Sequence, residues 1–254
     1  CIPANAVGKA QLLVKDEGII AGIDIAKHVF HRFDKNLSIT TFLNDGDSVK
    51  HGDIAFIVEG KKLSILQTER LVLNIIQRMS AIATKTNFYA QLLAPYKTKV
   101  LDTRKTTPGL RVLEKMAVKI GGGENHRMGL YDMIMLKDNH IDFAGGITEA
   151  ITKTLHYLKE KNLDLNIEVE ARNLDEVEQI LKFKDVSRIM LDNFSFEDTK
   201  KAVVLINHQC EIESSGGITD ETLVEYAKCG VDFISVGALT HSIKNMDLSL
   251  KATS

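Results

Sequence analysis

The sequence predicts an α/β protein in which a small strand-rich unit precedes a larger set of parallel strands covered by helices. The first observation is that residues 10–60 alternate short apolar runs with turn signals, as short strands do. The second is the helical spacing of apolar side chains over residues 63–93. The third is that short apolar strands alternate regularly with helical stretches after Tyr96.

Two helices are predicted in the N-terminal part. One covers Ile23 to Phe33, and the other runs from Leu63 to Leu93, just before Pro95. The stripe of the long helix that is expected in the core consists of Leu71, Ile75, Met79 and Ile82. A neighbouring polar stripe consists of Arg70, Asn74 and Arg78. From the pattern alone, a solvated surface is favoured there over a subunit contact that delivers Arg70 to a site.

Each later apolar strand ends in a polar or glycine residue: Asp102, Lys137, Glu170, Asp192, Ser215 and Gly237. The last four are 22, 23 and 22 residues apart, which is the length of one strand, one loop and one short helix. Helices are therefore expected at 173–183, 196–207 and 219–229. The sequence lacks a G-x-G-x-x-G motif, so an α/β barrel with its active site on one rim is favoured over an open doubly wound sheet.

Composition excludes several functional classes. The 254 residues carry a net charge of −2, which gives no reason to expect nucleic acid or a membrane surface as a partner. No apolar run approaches the roughly 20 residues that span a bilayer. Three cysteines without a C-x-x-C motif argue against a disulfide framework or a zinc site, so a reducing cytoplasm is expected.

Cations crowd one segment, "LDTRKTTPGLR" (101–111). Pro108 is expected at the first position of a helix that Thr106 or Thr107 caps. Arg104 and Lys105 would then lie near the positive end of that helix, where an anionic ligand would relieve their repulsion. Residues 97–140 hold nine Lys and Arg against five Asp and Glu, a local charge of +4. This segment therefore predicts an anion-binding site, with Arg111 having the weakest claim to ligand contact.

The other strand ends suggest the rest of that site. His126, Arg127 and Lys137 would extend a cationic pocket for a polycarboxylate, although Lys137 could instead be a Schiff-base nucleophile. "SSGGIT" (214–219) and "SVGALTHS" (235–242) are glycine-rich turns that suit phosphate, helped by the helix after each turn. Glu170 and Asp192 could cap helices, or could hold ribose hydroxyls or Mg²⁺.

Six blocks of sequence carry a resemblance to a known family: "ERLVLNIIQRMSAIATKT" (69–86), "LDTRKTTPGLRVLEKMAVKIGGGENHRMGLYDMIMLKDNHI" (101–141), "IEVEARNLDEV", "IMLDNF", "ESSGGIT" and "VDFISVGALTHS". They resemble quinolinate phosphoribosyltransferase (decarboxylating), also called nicotinate-nucleotide pyrophosphorylase, over nearly the whole chain. The resemblance implies an N-terminal α/β sandwich with the long helix at 1–94 and an incomplete α/β barrel at 95–240. A C-terminal segment at 241–254 would pack back on the N-terminal domain.

The resemblance also implies a reaction and a set of site residues. Quinolinate and phosphoribosyl pyrophosphate would give nicotinate mononucleotide, pyrophosphate and CO₂ in NAD biosynthesis, with Mg²⁺ required. The implied quinolinate-binding residues are Arg70, Thr103, Arg104, Lys105, His126, Arg127 and Lys137. The implied phosphoribosyl pyrophosphate-binding residues are Glu170, Asp192, Ser215, Gly216, Gly217, Val236, Gly237, Ala238 and His241. The catalytic residues would be Lys137, Glu170 and Asp192, with the metal held largely by substrate.

The resemblance further implies a homodimer or a dimer-based hexamer in which Arg70 reaches the neighbour's site. Two features depart from the family pattern. A helical segment that normally precedes the first strand is absent, which could affect the dimer contact, and Arg172 could alter the charge near Glu170. Three alternatives stay open: a paralogous transferase acting on another anion, a Lys137 Schiff-base lyase, and a non-catalytic ligand-binding relative.

Overall fold

A computed structural model describes residues 2–253 of the chain. Its strands are β1 (Val7–Val14), β2 (Gly18–Ile19), β3 (Ser38–Thr41), β4 (Ser48–Val49), β5 (Ile54–Lys61), β6 (Lys99–Leu101), β7 (Ile134–Leu136), β8 (Ile167–Ala171), β9 (Arg188–Asp192), β10 (Glu211–Ser215), β11 (Phe233–Ser235) and β12 (Leu248–Thr253). Its helices are α1 (Ile23–Phe33), α2 (Lys62–Leu93), α3 (Arg111–Ile120), α4 (Asp138–Ala144), α5 (Ile147–Lys161), α6 (Leu174–Ile180), α7 (Phe196–Ile206), α8 (Leu223–Lys228) and α9 (Ala238–His241).

The chain forms two compact units. The first unit contains residues 2–88, Thr106–Gly123 and 238–253, and the second contains Tyr89–Lys105 and Glu124–Gly237. The predicted combination of a small strand-rich part and a larger α/β part is confirmed. Within residues 2–253, no helix combines the length and the apolar character that crossing a membrane requires.

The first unit is built on an antiparallel sheet with the strand order β12-β1-β5-β3. Alternate residues of β1 are buried at Ala10, Leu12 and Val14, as a strand with one covered face requires. Helix α1 has the predicted bounds and buries Phe30, whose ring meets Phe56 of β5 edge to face at 6.0 Å. The strand and helix patterns therefore converge on one apolar core.

Helix α2 matches the predicted long helix but buries a different stripe. Leu71, which was expected in the core, is 55% exposed, whereas Met79 and Ile82 are buried as expected. The buried face also includes Val72 and Ile76, so it is turned by about one residue from the predicted one. Both neighbouring positions are apolar, so helical periodicity alone did not separate them.

Helix α3 begins at Arg111, three residues later than the Pro108 start that the sequence predicts. Thr107 accepts, through its carbonyl, the backbone N–H of Leu110, so residues 107–110 form a turn instead of the first helical turn. The Glu114 carboxylate accepts the Thr107 backbone N–H at 3.1 Å and thereby holds that turn. Gly121 caps the end of α3, a position at which glycine is common.

The second unit contains a parallel sheet of six strands in the order β6-β11-β10-β9-β8-β7. In the part of the chain that the structure describes, β6 and β7 are the two edges and do not pair with each other, so the predicted incomplete barrel is confirmed. Helices α4 to α8 lie between the strands in sequence. All six strands run in the same direction, so their carboxyl ends meet at one edge.

Two of the three helices expected between the later strands, α6 and α7, fall close to their predicted positions. Helix α8 starts at Leu223 instead of residue 219. The Thr222 backbone N–H donates to the Thr219 carbonyl in a turn, and the Tyr89 hydroxyl donates to Asp220 at 2.5 Å. The residues after the first glycine-rich loop are thus a turn, and the dipole of α8 begins six residues past Gly217.

Candidate active site

The carboxyl edge of the second sheet carries a different chemical group at each strand end. In spatial order these ends are Thr103 to Lys105 after β6, Gly237 after β11, Ser215 and Gly216 at β10, Asp192 at β9, Glu170 at β8 and Lys137 after β7. Cations therefore stand at both ends of the row, with two glycine-rich turns and then two carboxylates between them. This arrangement suits a ligand that carries several negative charges and a hydroxylated group.

Lys137 and Glu170 form an ion pair at one end of the row. Their charged atoms are 3.6 Å apart, with the Glu170 side chain 8% exposed and the Lys137 side chain 45% exposed. Burial raises the pKa of Glu170, Lys137 opposes that rise, and Asp192 adds to it. The Glu170 carboxylate is the counter-ion of Lys137. This pairing favours a role for Lys137 in binding an anion over a role as a Schiff-base nucleophile.

Arg172 follows β8 but does not add a loose charge to this edge. Its Nη2 atom lies 2.7 Å from Glu176 Oε1, and its Nη1 atom lies 3.1 Å from Asp142 Oδ1. Two carboxylates therefore hold its guanidinium beside α6 and α4. These two carboxylates offset the positive charge that Arg172 would otherwise add near Glu170.

Arg127 supplies a buried cation near the other end of the row. Burial lowers the pKa of its guanidinium, and the positive charge of Arg104 lowers it further. Glu168 and Asp132 act in the opposite direction. Arg104 and Arg127 are thus close enough to repel each other, which an anionic ligand would relieve.

The glycine-rich loop after β10 is shaped by its neighbour on β9. Gly216 has φ +94° and Gly217 has φ +58°, and a Cβ on Gly216 would lie 2.2 Å from Asn193 Oδ1. Asn193 donates its backbone N–H to the Ser215 carbonyl at 2.9 Å and its side-chain amide to Asp192 Oδ2 at 2.8 Å. Asn193 therefore links the predicted phosphate loop to the predicted ribose carboxylate, and sequence analysis missed it.

The turn after β11 differs from the turn after β10. The Val236 backbone N–H donates to the Leu101 carbonyl at 3.0 Å, which continues the sheet toward β6. Because the Val236 amide already has a protein acceptor, any amide of this turn that binds phosphate would belong to a residue after Val236. Helix α9 starts directly at Ala238, which places a helix N-terminus next to Gly237 in the chain.

Three predicted site residues belong to the first unit: Arg70, Ala238 and His241. Arg70 is exposed on α2. His241 is exposed at the end of α9, where its Nδ1 atom lies 2.6 Å from Ser242 Oγ. The remaining predicted residues belong to the second unit.

Beneath the carboxyl edge lies a layer of buried charges that sequence analysis did not single out. Glu168 and Glu213 are fully buried, and each precedes a strand-end residue, Glu170 or Ser215, by two positions. Residues two apart on a strand face the same side, so both carboxylates face the side of the sheet that bears the site. The alternation in "IEVEA" and "EIESS" was the signal that could have found them.

Those carboxylates meet His126 and Arg188. His126 Nε2 lies 3.1 Å from Glu168 Oε2 and 3.6 Å from Glu213 Oε2. Arg188 Nη1 lies 3.2 Å from Glu213 and 4.0 Å from Glu168. Burial raises the pKa of both carboxyl groups, and Arg188 opposes the rise in each. The ligand atoms of the histidine and the two carboxylates lie within 4.8 Å of one another, but Arg188 already supplies the cation that such a cluster needs.

Comparison with known proteins agrees with this geometry. The family models that match are the quinolinate phosphoribosyl transferase N-terminal domain over residues 1–80 and its C-terminal domain over residues 82–251. A chloroplastic nicotinate-nucleotide pyrophosphorylase of Arabidopsis thaliana is 45% identical, over 98% of this chain and 75% of its own length. Quinolinate phosphoribosyltransferase [decarboxylating] 1b of Nicotiana tabacum is 44% identical over the same shares.

A solved structure is equally similar. The nicotinate-nucleotide pyrophosphorylase of Francisella tularensis superimposes with a TM-score of 0.92 at 44% identity, covering 99% of this chain and 88% of that one. Both family models, the two relatives and the Francisella structure indicate the same family. The chain therefore belongs to the quinolinate phosphoribosyltransferase family.

Proposed function

We propose that this protein transfers the phosphoribosyl group of phosphoribosyl pyrophosphate to quinolinate and removes one carboxylate as CO₂, forming nicotinate mononucleotide for NAD biosynthesis. The observation that carries the proposal is the order of groups along the carboxyl edge of the second sheet. Cations suited to a dicarboxylate flank turns suited to phosphate and carboxylates suited to a ribose. The tobacco relative is named for this decarboxylating transfer.

Quinolinate would occupy the cationic part of the edge. We assign its two carboxylates to the basic residues of this part, with Thr103 as a neutral donor; the basic residues are Arg104, Lys105, His126, Arg127 and Lys137. Guanidinium groups bind planar carboxylates with two parallel hydrogen bonds, so Arg104 and Arg127 can fix the orientation of the pyridine ring. The repulsion between Arg104 and Arg127 that lowers the Arg127 pKa falls when the dianion binds.

Phosphoribosyl pyrophosphate would occupy the central part of the edge. Ser215, Gly216 and Gly217 would hold its 5′-phosphate together with Gly237, Ala238 and His241. Gly216 and Gly217 have positive φ angles and no side chains, so the backbone of this loop can approach a phosphate closely. Glu170 and Asp192 would accept hydrogen bonds from the ribose hydroxyls.

Mg²⁺ fits the same pair of carboxylates. Asp192 is close enough to raise the pKa of Glu170, and both residues offer oxygen ligands, which Mg²⁺ prefers. When bound, the ion would offset negative charge on the pyrophosphate leaving group. Asn193 would hold Asp192 in one orientation through its side-chain amide.

The chemistry follows from positioning two anions that otherwise repel each other. Departure of pyrophosphate leaves positive character on the ribose, which the Glu170 and Asp192 carboxylates stabilise. The ring nitrogen of quinolinate, held by Arg104 and Arg127, attacks that carbon. The resulting pyridinium accepts the electron pair that the carbon-2 carboxylate leaves behind as CO₂, and that carbon is then protonated.

The protein would act as a homodimer or an assembly of dimers, with Arg70 reaching the partner's quinolinate pocket. Arg70 is exposed on α2, and exposed apolar side chains of Leu63, Leu66 and Leu71 lie close to it in the helix. Apolar side chains clustered on an exposed helix face are typical of an interface.

Mixing two inactive variants tests this shared site. Arg70→Ala damages the neighbour's pocket, whereas Arg104→Ala damages its own, so a mixed dimer keeps one complete site. Random mixing would restore roughly a quarter of the wild-type activity. Dimers that exchange subunits, as shown by differently tagged chains, without regaining activity would contradict the shared site.

The function itself is tested by incubating the protein with carboxyl-labelled quinolinate, phosphoribosyl pyrophosphate and Mg²⁺ and measuring CO₂ release. We expect release that needs both substrates, with nicotinate mononucleotide formed in equal amount. Turnover of a different anion in place of quinolinate would identify a paralogous transferase. Borohydride trapping of a substrate on Lys137 would identify a lyase, and binding of both substrates without turnover would identify a non-catalytic relative.

The cytoplasm remains the proposed location. Cys210 and Cys229 are both free thiols, as a reducing compartment allows. Cys1 lies outside the described residues.

A further inference from the structure

We propose that Glu168, Glu213 and Arg188 are positioning residues, which hold the His126 ring in a single tautomer and thereby fix Arg127 in the quinolinate pocket. The proposal rests on the proposed function, because it assigns a role to residues that support the same pocket.

The tautomer of His126 follows from its hydrogen bond to the next residue. The backbone N–H of Arg127 donates to His126 Nδ1 at 2.7 Å, so Nδ1 is an acceptor and carries no proton. The ring proton of this tautomer is therefore on Nε2, the atom that lies 3.1 Å from Glu168 and 3.6 Å from Glu213. Two carboxylates at this nitrogen favour the tautomer that presents N–H to them.

The carboxylate pair is itself held in place. Arg188 Nη1 approaches both carboxylates, whereas its Nε and Nη2 atoms donate at 3.1 and 2.8 Å to the half-exposed Glu211, a surface contact that contributes little to holding the cluster. The guanidinium also stacks on Phe233, with Cζ 4.1 Å from the ring centroid. Strands β8, β9, β10 and β11 thus fix one charge cluster, and the cluster fixes the ring of His126.

His126 transmits this support to the backbone of the pocket. Its own backbone N–H donates to the buried Asp102 carboxylate at 2.9 Å, while its ring accepts from Arg127. The 126–127 segment is therefore held at both residues. Arg127 must stay close to Arg104 in spite of their repulsion, and a rigid backbone anchor prevents it from moving away.

A metal ion is the competing interpretation of this cluster. One histidine and two carboxylates could supply three ligands, but Arg188 lies 3.2 Å from Glu213 and would repel a divalent ion. The positive charge of Arg188 instead offsets the negative charge of Glu168 and Glu213, as in a buried salt-bridge cluster. Direct metal analysis of the purified protein decides between the two.

The test begins with the unaltered enzyme. Nitrogen NMR of ¹⁵N-histidine-labelled protein, with the His126 signal assigned by its loss in His126→Asn, should show a ring protonated at Nε2 only. A ring protonated at Nδ1 or at both nitrogens overturns the proposal. This readout does not depend on turnover, so it distinguishes failure of the positioning role from failure of the proposed function.

The kinetic test uses Glu213→Gln, with Glu211→Gln as the matched control. Glu211 lies on the same strand and binds the same arginine, but its side chain is 52% exposed and it is two residues farther from the carboxyl edge than Glu213. We expect Glu213→Gln to raise the KM for quinolinate about tenfold, while the KM for phosphoribosyl pyrophosphate changes less than about twofold. Glu211→Gln should leave both within about twofold of the wild-type values.

A purely structural role for Glu213 would have other consequences. It predicts equal increases in both KM values together with a lower melting temperature, and that result overturns the proposal. Stoichiometric metal that is present in the wild-type protein and absent from Glu213→Gln overturns it as well. Glu168→Gln provides a second variant if Glu213→Gln does not fold, with the same expected bias toward quinolinate.

Discussion

The two sheets of this protein use alternation along the strand for different purposes. In the first unit, the inward positions of β1 and β5 are apolar and meet α1 in an unbroken hydrophobic core. In the second unit, one face of β8, β9 and β10 carries charged side chains at successive levels: Glu168 beside Arg188, then Glu170 and Glu213 on either side of Met190, and Asp192 at the strand end. The first sheet supplies stability, whereas the second accepts buried charge in order to build a site.

The largest expected effect is a loss of stability in the first unit. Phe30→Ala removes a fully buried ring that packs against Phe56, so we expect the free energy of unfolding to fall by about 3–5 kcal/mol. Activity per folded molecule should be unchanged. Phe33→Ala, on the same helix but 54% exposed, is the control and should change stability by less than about 0.5 kcal/mol in urea denaturation.

The second-largest expected effect is a loss of activity at the cationic part of the carboxyl edge in the second unit. Arg104→Ala should lower kcat/KM for quinolinate about 100-fold, because the dicarboxylate loses a charge-assisted hydrogen bond in a site it shares with Arg127. The KM for phosphoribosyl pyrophosphate should change far less. Lys97→Ala removes an exposed cation from the same part of the chain and serves as the control. Equal losses for both substrates would show that the basic part of the edge is assigned wrongly.

A third prediction addresses the glycine-rich loop after β10. Gly216→Ala would place a Cβ 2.2 Å from Asn193 Oδ1 at a positive φ, so the loop or the Asn193 side chain, which holds Asp192, must shift. We expect the KM for phosphoribosyl pyrophosphate to rise about tenfold, with a smaller change for quinolinate. Gly109→Ala also lies at a positive φ, +79°, but has open space around the new Cβ, so it isolates backbone strain from collision.

The smallest expected effect is a pH dependence of stability that comes from Glu213. Burial raises the pKa of its carboxyl group to about 7, so between the ordinary value of 4.5 and that pH the folded protein binds more protons than the unfolded chain. Stability from this group is therefore lost as the pH rises through that range. Glu213→Gln should reduce the fall in the free energy of unfolding between pH 5 and 7.5 by about 1–2 kcal/mol.

Urea denaturation of the wild-type protein, Glu213→Gln and Glu211→Gln at both pH values measures this difference. Glu211 is the control because its carboxylate is half exposed on the same strand. An identical pH slope in the wild-type protein and Glu213→Gln would mean that the buried carboxylate keeps its ordinary pKa.

The class of fold was predictable because helix and strand periods differ and because the strand ends recur at nearly equal spacing. The end of α1 at Phe33 and the cap of α3 at Gly121 also followed from local sequence. The start of α3 did not, because the Glu114 carboxylate, seven residues away, holds Thr107 in a turn. The prediction that Leu71 is buried was wrong, because the adjacent Val72 is also apolar and takes the core position instead.

The candidate site was predictable where a residue ends a strand, and was missed where a residue lies inside one. Lys137, Glu170 and Asp192 stand out because a polar residue follows an apolar run. Glu168 and Glu213 lie inside strands, where alternation in the sequence is their signal, and their role becomes clear when parallel strands place them beside His126. The link from Asn193 to Gly216 likewise depends on neighbouring strands.

The pairing of β12 with β1 has a consequence for how the chain acquires its structure during synthesis. Leu248 lies opposite Val14, and Leu250 lies opposite Leu12, so one edge of β1 is covered by residues that leave the ribosome more than 230 positions later. The second unit, which ends at Gly237, has by then been translated in full. The first sheet is therefore completed after the second unit. Until β12 pairs with it, this edge of β1 is open, and a chaperone or the ribosome surface can shield it.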